Sequence, residues 1–339
     1  MNARHGEPLP VTVVGGYLGA GKTTLVNHLL RSAGGRRLAV LVNDFGDLPI
    51  DADLIEAEGE HVIGIAGGCI CCSFGSDLLA ALMTLAEREP TPDHVVIEAS
   101  GVALPGTVAD ALTLLTRFVL DGVVVIADAE TVGARAADRY LADTILRQFA
   151  DADLVILNKI DLASAAERSM LHAWLAARAP RAALVDAVQA AVPIEAVLGL
   201  EAQGATPRAV AHAFAHTARG TIAPLRPPAA PTEAYRSASY EFSQALDLRA
   251  LADALMRPEL GVIRAKGVLR DADDTRKSLQ VVGRRWTLSA HVSGAVRDCR
   301  LVCIGLAHLL DGAAIERVIG EHAARDGSSH DADGINRVE

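Results

Sequence analysis

The stretch Val11-Thr-Val-Val-Gly-Gly-Tyr-Leu-Gly-Ala-Gly-Lys22-Thr23-Thr24 constrains the chain more than any other. Four apolar or β-branched residues read as a buried strand, and Leu25, Val26, Leu29 and Leu30 recur at helical spacing beyond it. The turn between them matches G-x-x-x-x-G-K-[ST] from Gly16 without a gap. A phosphate chain is held by backbone N–H groups converging on it, and side chains would block that approach. Gly16, Gly19 and Gly21 remove the obstruction, Ala20 adds only a methyl, and the helix beginning near Lys22 turns its positive end toward the anion. Lys22 then reaches the β- and γ-phosphates, the hydroxyl of Thr23 completes a Mg²⁺ shell, and Thr24 lies in the same first turn. The competing reading, a glycine-rich loop that merely turns, does not account for the strand before it and the amphipathic helix after it.

Alternation of short apolar runs with helical stretches continues past this loop. Strands are expected at Leu38–Asn43, His61–Ile65, His94–Glu98, Gly122–Ala127, Asp153–Asn158 and Arg181–Val185, with a helix at about 164 to 178. Continuous apolar runs of this length fit strands covered on both faces, so the expected fold class is α/β with a mostly parallel sheet. In such a sheet ligands sit at the carboxyl ends of the strands. At 339 residues two domains are expected. The first spans 1–200, and 201–233 dissolves into Ala, Gly, Thr, His and Pro, which reads as a linker. Residues 234–323 form a smaller α+β domain: a strand from Tyr235, a helix near 247 to 256, strands near 261 to 269, 278 to 290 and 301 to 305, and a helix near 312 to 320. The polar end, 324–339, reads as disordered.

A net charge of −10 opposes a nucleic-acid surface. No apolar run is long enough to span a membrane, and the opening Met1-Asn-Ala-Arg-His-Gly-Glu-Pro lacks the apolar core of a signal peptide. Three of the five cysteines fall within four positions, which fits metal or redox chemistry in a reducing, cytoplasmic setting better than a disulfide framework.

Asn158-Lys159-Ile-Asp161 names the base. A carboxylate at Asp161 can accept both N1–H and the N2 amino group of guanine, a pairing adenine does not offer, while Asn158 and Lys159 brace the loop and cover the base. The alternative is a helix-capping Asp after a strand. Glu98 closes an apolar run where phosphate-loop proteins place the acidic residue that orders Mg²⁺, and Gly101 can offer its N–H to a γ-phosphate. Lys22 and Glu98 are thus the candidate catalytic residues. Cys69-Ile-Cys71-Cys72 follows Gly67-Gly68, whose flexibility lets three thiolates converge. With a fourth ligand they suit tetrahedral Zn²⁺, and Co²⁺ would also fit. Buried structural cysteines or a redox pair are the alternatives. Asp44 opens an acidic loop that can help hold a metal or sense a γ-phosphate, or else is a solvated turn. Cys299 and Cys303 flank an apolar strand and read as packing residues; His212 and His216 read as surface histidines.

Taken together, the phosphate loop, Asn43-Asp44-Phe45-Gly46, Gly-Cys-Ile-Cys-Cys, Glu98-Ala-Ser-Gly101, Asn-Lys-Ile-Asp and Arg264-Ala-Lys266-Gly267 resemble the CobW-like GTPases, related to UreG and HypB. The resemblance spans the chain. It implies a P-loop NTPase domain followed by a CobW-type C-terminal domain. It also implies GTP binding with slow hydrolysis to GDP, coupled to handling Zn²⁺ or Co²⁺ for a metal-requiring client. By position, Cys69, Cys71 and Cys72 inherit the metal role, and Lys22, Thr23, Glu98, Asn158 and Asp161 the nucleotide roles. The family commonly has Glu where this chain has Asp44, which sets that carboxylate one methylene further back. A client-specific activator of the nitrile hydratase type and a small-molecule kinase are the rival functions, and a homodimer is compatible with either the main reading or its rivals.

Overall fold

The computed structural model describes residues 8–43, 62–65, 76–199, 235–290, 299–323 and 336–338. The chain divides into two compact units, Met1–Leu198 and Gly199–Glu339.

In the first unit, β1 (Leu9–Gly15) leads into α1 (Lys22–Arg31), followed by β2 (Leu38–Asn43), β3 (Val62–Ile65) and α2 (Ser76–Ala86). Next come β4 (His94–Glu98), α3 (Pro105–Leu112) and the long β5 (Phe118–Asp128). The unit ends with α4 (Val132–Ala137), α5 (Ala142–Ala150), β6 (Leu154–Asn158), α6 (Ala165–Arg178), β7 (Ala183–Ala187) and α7 (Ile194–Val197). The seven strands form one sheet in the order β3-β2-β4-β1-β5-β6-β7, and every pairing is parallel.

The apolar runs are buried because helices cover both faces. Val11, Val13, Leu41 and Ile97 pack on Leu82 and Leu85 of α2 and on Val108 and Leu112 of α3. Further along the same sheet, Val123, Val125, Val155 and Leu157 pack on Ile145 and Phe149 of α5 and Leu175 of α6. The alternate residues Val14, Val42, Val96, Val124 and Ile156 are buried as well, so neither face is left to water.

A buried polar knot interrupts this apolar sheet. The Thr12 hydroxyl lies 2.8 Å from His94 Nε2 and donates to Asp121 Oδ2 at 3.1 Å. Asp121 falls at an irregularity between β1 and β5, where Val11 pairs with Leu120 and Thr12 with Gly122. A bulge thus turns an acidic residue of an apolar strand toward a polar partner.

The second unit contains β8 (Tyr235–Phe242), α8 (Leu248–Leu255), β9 (Val262–Arg270), β10 (Arg276–Val282), β11 (Arg285–Ala290), β12 (Cys299–Leu306), α9 (Gly312–Glu321) and β13 (Asn336–Val338). Its six strands run β11-β10-β9-β12-β8-β13, all antiparallel. Both helices are capped by aspartates: Asp247 accepts from Ala250 N, and Asp311 from Ala313 N and Ala314 N. Cys299 and Cys303 lie in the core of this unit with Tyr240, Leu251 and Ile315, and burial pushes the Cys303 thiol up to about 12.

Two expectations need correction here. The single strand expected at 278 to 290 is a hairpin, because Gly283 takes φ 55° and turns the chain between β10 and β11. The polar end expected to be disordered includes β13, whose Asn336–Val338 pairs with Ser239–Glu241 of β8. Composition alone missed a strand that needs only backbone pairing with an exposed sheet edge. The expected linker at 201–233 lies outside the described residues.

Candidate functional site

The parallel order sets the ends of β1, β4, β5 and β6 side by side, and those of β1, β4 and β6 each carry a predicted site segment. Val14 is paired with Glu98 between β1 and β4, and Asp128 with Asn158 between β5 and β6.

The loop after β1 is held by glycines in backbone conformations that other residues resist. Gly16 has φ 132° and Gly21 φ 110°; a Cβ would lie 2.2 Å from the Ile126 carbonyl oxygen at the first and 2.6 Å from Asn158 Nδ2 at the second. Gly21 is also the N-cap of α1, so no side chain caps that helix, and its first turn holds no acidic residue. The N-terminal N–H groups are thus not met by a capping side chain, an arrangement suited to an anion. Lys22 is buried in this turn and Thr24 is exposed. The Thr23 hydroxyl donates to Glu98 Oε1 at 2.9 Å. That hydroxyl and carboxylate, together at a strand end beside the phosphate loop, are hard oxygen donors of the kind Mg²⁺ takes, usually with several waters retained.

Gly101 lies directly under the phosphate loop, where a Cβ would come within 2.5 Å of Leu18 Cδ2 and 2.9 Å of Leu18 N. Gln148 of α5 fixes this turn, donating to Gly101 O at 3.2 Å and Ala103 O at 2.8 Å.

Asn158 ties three loops into one body. Its Nδ2 donates to Ala20 O of the phosphate loop at 2.9 Å, and its Oδ1 accepts from Ala190 N at 2.8 Å. The residue is buried at the end of β6, so both bonds are shielded from competing water. Lys159 follows in the left-handed conformation, φ 60°, and its ammonium is 2.8 Å from Asp128 Oδ2. Asp161 sits in the 3₁₀ turn Ile160–Leu162. The helix cap after it is made by Ser164, which forms a reciprocal box with Glu167, so α6 does not use Asp161 as its cap. Asp161 is exposed and makes no hydrogen bond or ion pair with the described residues.

Asp44, Cys69, Cys71 and Cys72 lie outside the described residues. Among the described residues no group of three or more His, Cys, Asp or Glu side chains is placed to hold a metal ion, and no helix is long and apolar enough to cross a membrane.

Residues 10–186 match the family described as the CobW/HypB/UreG nucleotide-binding domain. The chain belongs to that family. Residues 235–321 match the cobalamin synthesis protein CobW C-terminal domain. Over 92% of its length this CobW/HypB/UreG member is 31% identical to a zinc chaperone CobW of Sinorhizobium sp, 96% of which is covered. It is 36% identical to the zinc chaperone YjiA of Escherichia coli (strain K12) over 51% of this chain and 57% of that protein. Among solved structures it is similar to a Zn(II)-bound YjiA GTPase from E. coli, at 22% identity and a TM-score of 0.41, covering 96% of this chain and 100% of that one.

Sequence reasoning about this family member overlooked several residues that hold the site. Gln189 and Ala190 have φ 52° and 55°, two successive left-handed residues that are not glycine, and nothing in their identity announces it. His28 of α1 reaches the same turn, with Nε2 2.7 Å from Val192 O. Burial holds the His28 imidazole below its ordinary pKa, opposed by the bond to Val192 and assisted by the nearby Arg31 charge. Arg135 of α4 donates to Leu18 O and lies over the Tyr17 ring at 5.3 Å. Asp128, the last residue of β5, lies one position past the strand expected at Gly122–Ala127 and was not read as part of the site.

Proposed function

We propose that the chain binds GTP and hydrolyses it slowly to GDP, and that this cycle governs a thiolate-bound Zn²⁺ or Co²⁺ destined for a metal-requiring client. The observation that carries the nucleotide half is Asp161, an exposed carboxylate with no partner among the described residues, in the turn that follows the clamp made by Asn158. A carboxylate left open in that place suits the N1–H and N2 amino group of guanine, whereas adenine presents an acceptor at N1.

Lys22 and the N-terminus of α1 would stabilise negative charge on the β- and γ-phosphates, as electrostatic preorganisation requires. Thr23 and Glu98 would hold Mg²⁺, which would supply positive charge against the developing charge on the phosphates. Glu98 already commits one oxygen to the Thr23 hydroxyl, a role in ordering the metal shell rather than in activating water. Slow turnover is in keeping with that.

The metal half rests on Cys69, Cys71 and Cys72, with Asp44 as a further candidate. Asn43 and Ile65 are register partners at the ends of β2 and β3, so the acidic segment and the cysteine segment start from neighbouring strand ends. A γ-phosphate sensed by the first would thereby bias the second. Coupled sites of this kind typically differ by about 1–3 kcal/mol between states, and linkage requires the metal to tighten GTP by the same factor.

The test has two arms. GTP should bind at least about tenfold more tightly than ATP, and Asp161→Ala should erase most of that preference. Competition against a chromophoric chelator should give tighter Zn²⁺ binding with a non-hydrolysable GTP analogue than with GDP, by about tenfold, and replacing Cys71 and Cys72 by Ser should abolish it. Equal affinity for the two triphosphates would sink the GTPase reading. Equal metal affinity in the two nucleotide states would reduce the cysteines to a static site.

A further inference from the structure

The ion pair between Lys159 and Asp128 is a feature of the site that neither nucleotide chemistry nor packing requires on its own. β5 and β6 run parallel, and their last residues, Asp128 and Asn158, are register partners. Ala129 N donates to Asn158 O at 2.9 Å, so the two strand ends stay joined beyond the sheet. Lys159 leaves β6 beside Asp128 and turns left-handed at φ 60°, a conformation that costs a non-glycine residue energy unless its surroundings hold it. Its ammonium lies 2.8 Å from Asp128 Oδ2, with the Asp128 side chain 6% and the Lys159 side chain 35% exposed. The other Asp128 oxygen accepts from Glu130 N at 2.9 Å. Burial pushes the Asp128 carboxyl up, but the Lys159 ammonium and the Glu130 N–H outweigh it and hold it below the ordinary carboxylate range.

Two residues further on, Asp161 is exposed and unpaired among the described residues. A flexible lysine so near in the chain is a natural partner for that carboxylate. Were its ammonium to settle there, the charge that should receive the base would be satisfied in advance. Asp128, a shielded and backbone-anchored carboxylate, is the stronger attractor because leaving it unpaired would strand a buried charge.

We infer that Asp128 is a positioning residue for nucleobase recognition: by holding the Lys159 ammonium it fixes the lysine stem and keeps Asp161 open for the guanine edge. This rests on the guanine reading above. Asp128 itself touches no base; its effect on selectivity passes through Lys159.

The experiment is a double-mutant cycle on the full chain, reading GTP and ATP affinity and melting temperature for the unmodified protein, Asp128→Asn, Lys159→Met and the double variant. Asp128→Asn keeps the acceptor for Glu130 N and removes the charge. It should weaken GTP by about tenfold and ATP by less than about twofold, and in the Lys159→Met background the same change should cost less than about twofold. Asp128→Glu, which retains the charge, should restore part of the preference. A pair that merely ties two strand ends would lower the melting temperature and weaken both nucleotides alike in either background, which overturns the inference. If the unmodified protein prefers GTP and Asp128→Asn keeps that preference, this inference alone fails. If the unmodified protein shows no preference, the guanine reading fails first and takes this one with it. Should Asp128→Asn not fold, Asp128→Ser, which also removes the charge and keeps an acceptor for Glu130 N, decides in its place: loss of the GTP-over-ATP preference supports the role, and retention overturns it.

Discussion

The loop after β1 and the turns after β6 and β7 all use left-handed backbone, yet they fill it with opposite kinds of residue. Gly16, Gly19 and Gly21 have φ 132°, 77° and 110°, whereas Lys159, Gln189 and Ala190 have 60°, 52° and 55°. In the first set a Cβ at Gly16 or Gly21 would meet Ile126 O or Asn158 Nδ2, and the bare backbone suits the polyanion proposed to bind there. In the second set the Lys159 side chain makes an ion pair, and the Ala190 backbone N–H is held by Asn158. Strain is avoided where phosphate binding is proposed and tolerated at Lys159, beside the proposed base site, and in the turn after β7. What allows the tolerance is Asn158, which bonds to both regions and makes each a support for the other.

The comparison breaks most severely if a side chain is put where the phosphate loop excludes one. Gly16→Ala places a Cβ 2.2 Å from the Ile126 carbonyl in a backbone region that alanine resists. A backbone atom cannot step aside as a flexible side chain can. The expected cost is about 3 kcal/mol or more, with nucleotide binding lost; denaturant unfolding and a nucleotide titration measure both. Gly35, with φ 83° and no atom within 4 Å of its would-be Cβ, is the control. Gly35→Ala should be strained at about 1 kcal/mol and should leave nucleotide affinity alone.

Next in size is the loss of the link itself. Asn158→Ala leaves the buried Ala20 carbonyl and Ala190 N–H without their side-chain partner, each worth about 1–3 kcal/mol when stranded. Both phosphate affinity and base selectivity should fall together. If the GTP-over-ATP ratio alone changed, Asn158 would belong to the base turn only and the two regions would be independent.

How far each region was legible in the sequence follows from the same contrast. Glycines at fixed spacing between a strand and a helix declare both the turn and the reason for it, so the phosphate loop is readable from its residues alone. The apolar runs likewise implied a parallel sheet, because a strand covered on both faces has no polar alternation to hide it. Lys159, Gln189 and Ala190 carry no such mark: Lys159 is held by Asp128 and Ala190 by Asn158, each partner tens of residues away in the chain. Asp128 and His28 were invisible for the same reason, as was Thr12, whose partners His94 and Asp121 come from two other strands. The hairpin at Gly283 was missed because polar and apolar residues alternate on both sides of the glycine, as they would along one strand.

A gentler change relieves strain instead of adding it. Ala190→Gly keeps the N–H that Asn158 accepts and removes the methyl group from a left-handed residue. Relief of about 1 kcal/mol is opposed by the greater freedom of glycine in the unfolded chain. The net stability change should lie within about 1 kcal/mol of zero, with base selectivity unchanged. A marked loss of selectivity would mean that the side chain, and not only the backbone, shapes the base turn.

The smallest effect should be a slope with pH rather than a step. His28 joins α1 to the turn after β7 through Val192 O, and its pKa in the folded protein is lowered from 6.5, with burial the largest cause. A base whose folded pKa is depressed favours the folded state while it is neutral. As pH falls through 6.5 the unfolded chain takes up the proton first, so this contribution is present above that pH and is lost progressively below it until the folded form also titrates. His28→Gln keeps an N–H donor near Val192 O but does not titrate. Unfolding measured at pH 7.5 and at about pH 5.5, above the range where carboxylates dominate, should show the unmodified protein losing more stability than His28→Gln. Adding a slowly dissociating nucleotide should shrink that difference, because a ligand spanning both regions would hold together what His28 otherwise helps to join. Parallel slopes for the two proteins would mean that the link between α1 and the turn after β7 does not depend on a neutral imidazole, leaving Asn158 as the main connection between the two regions.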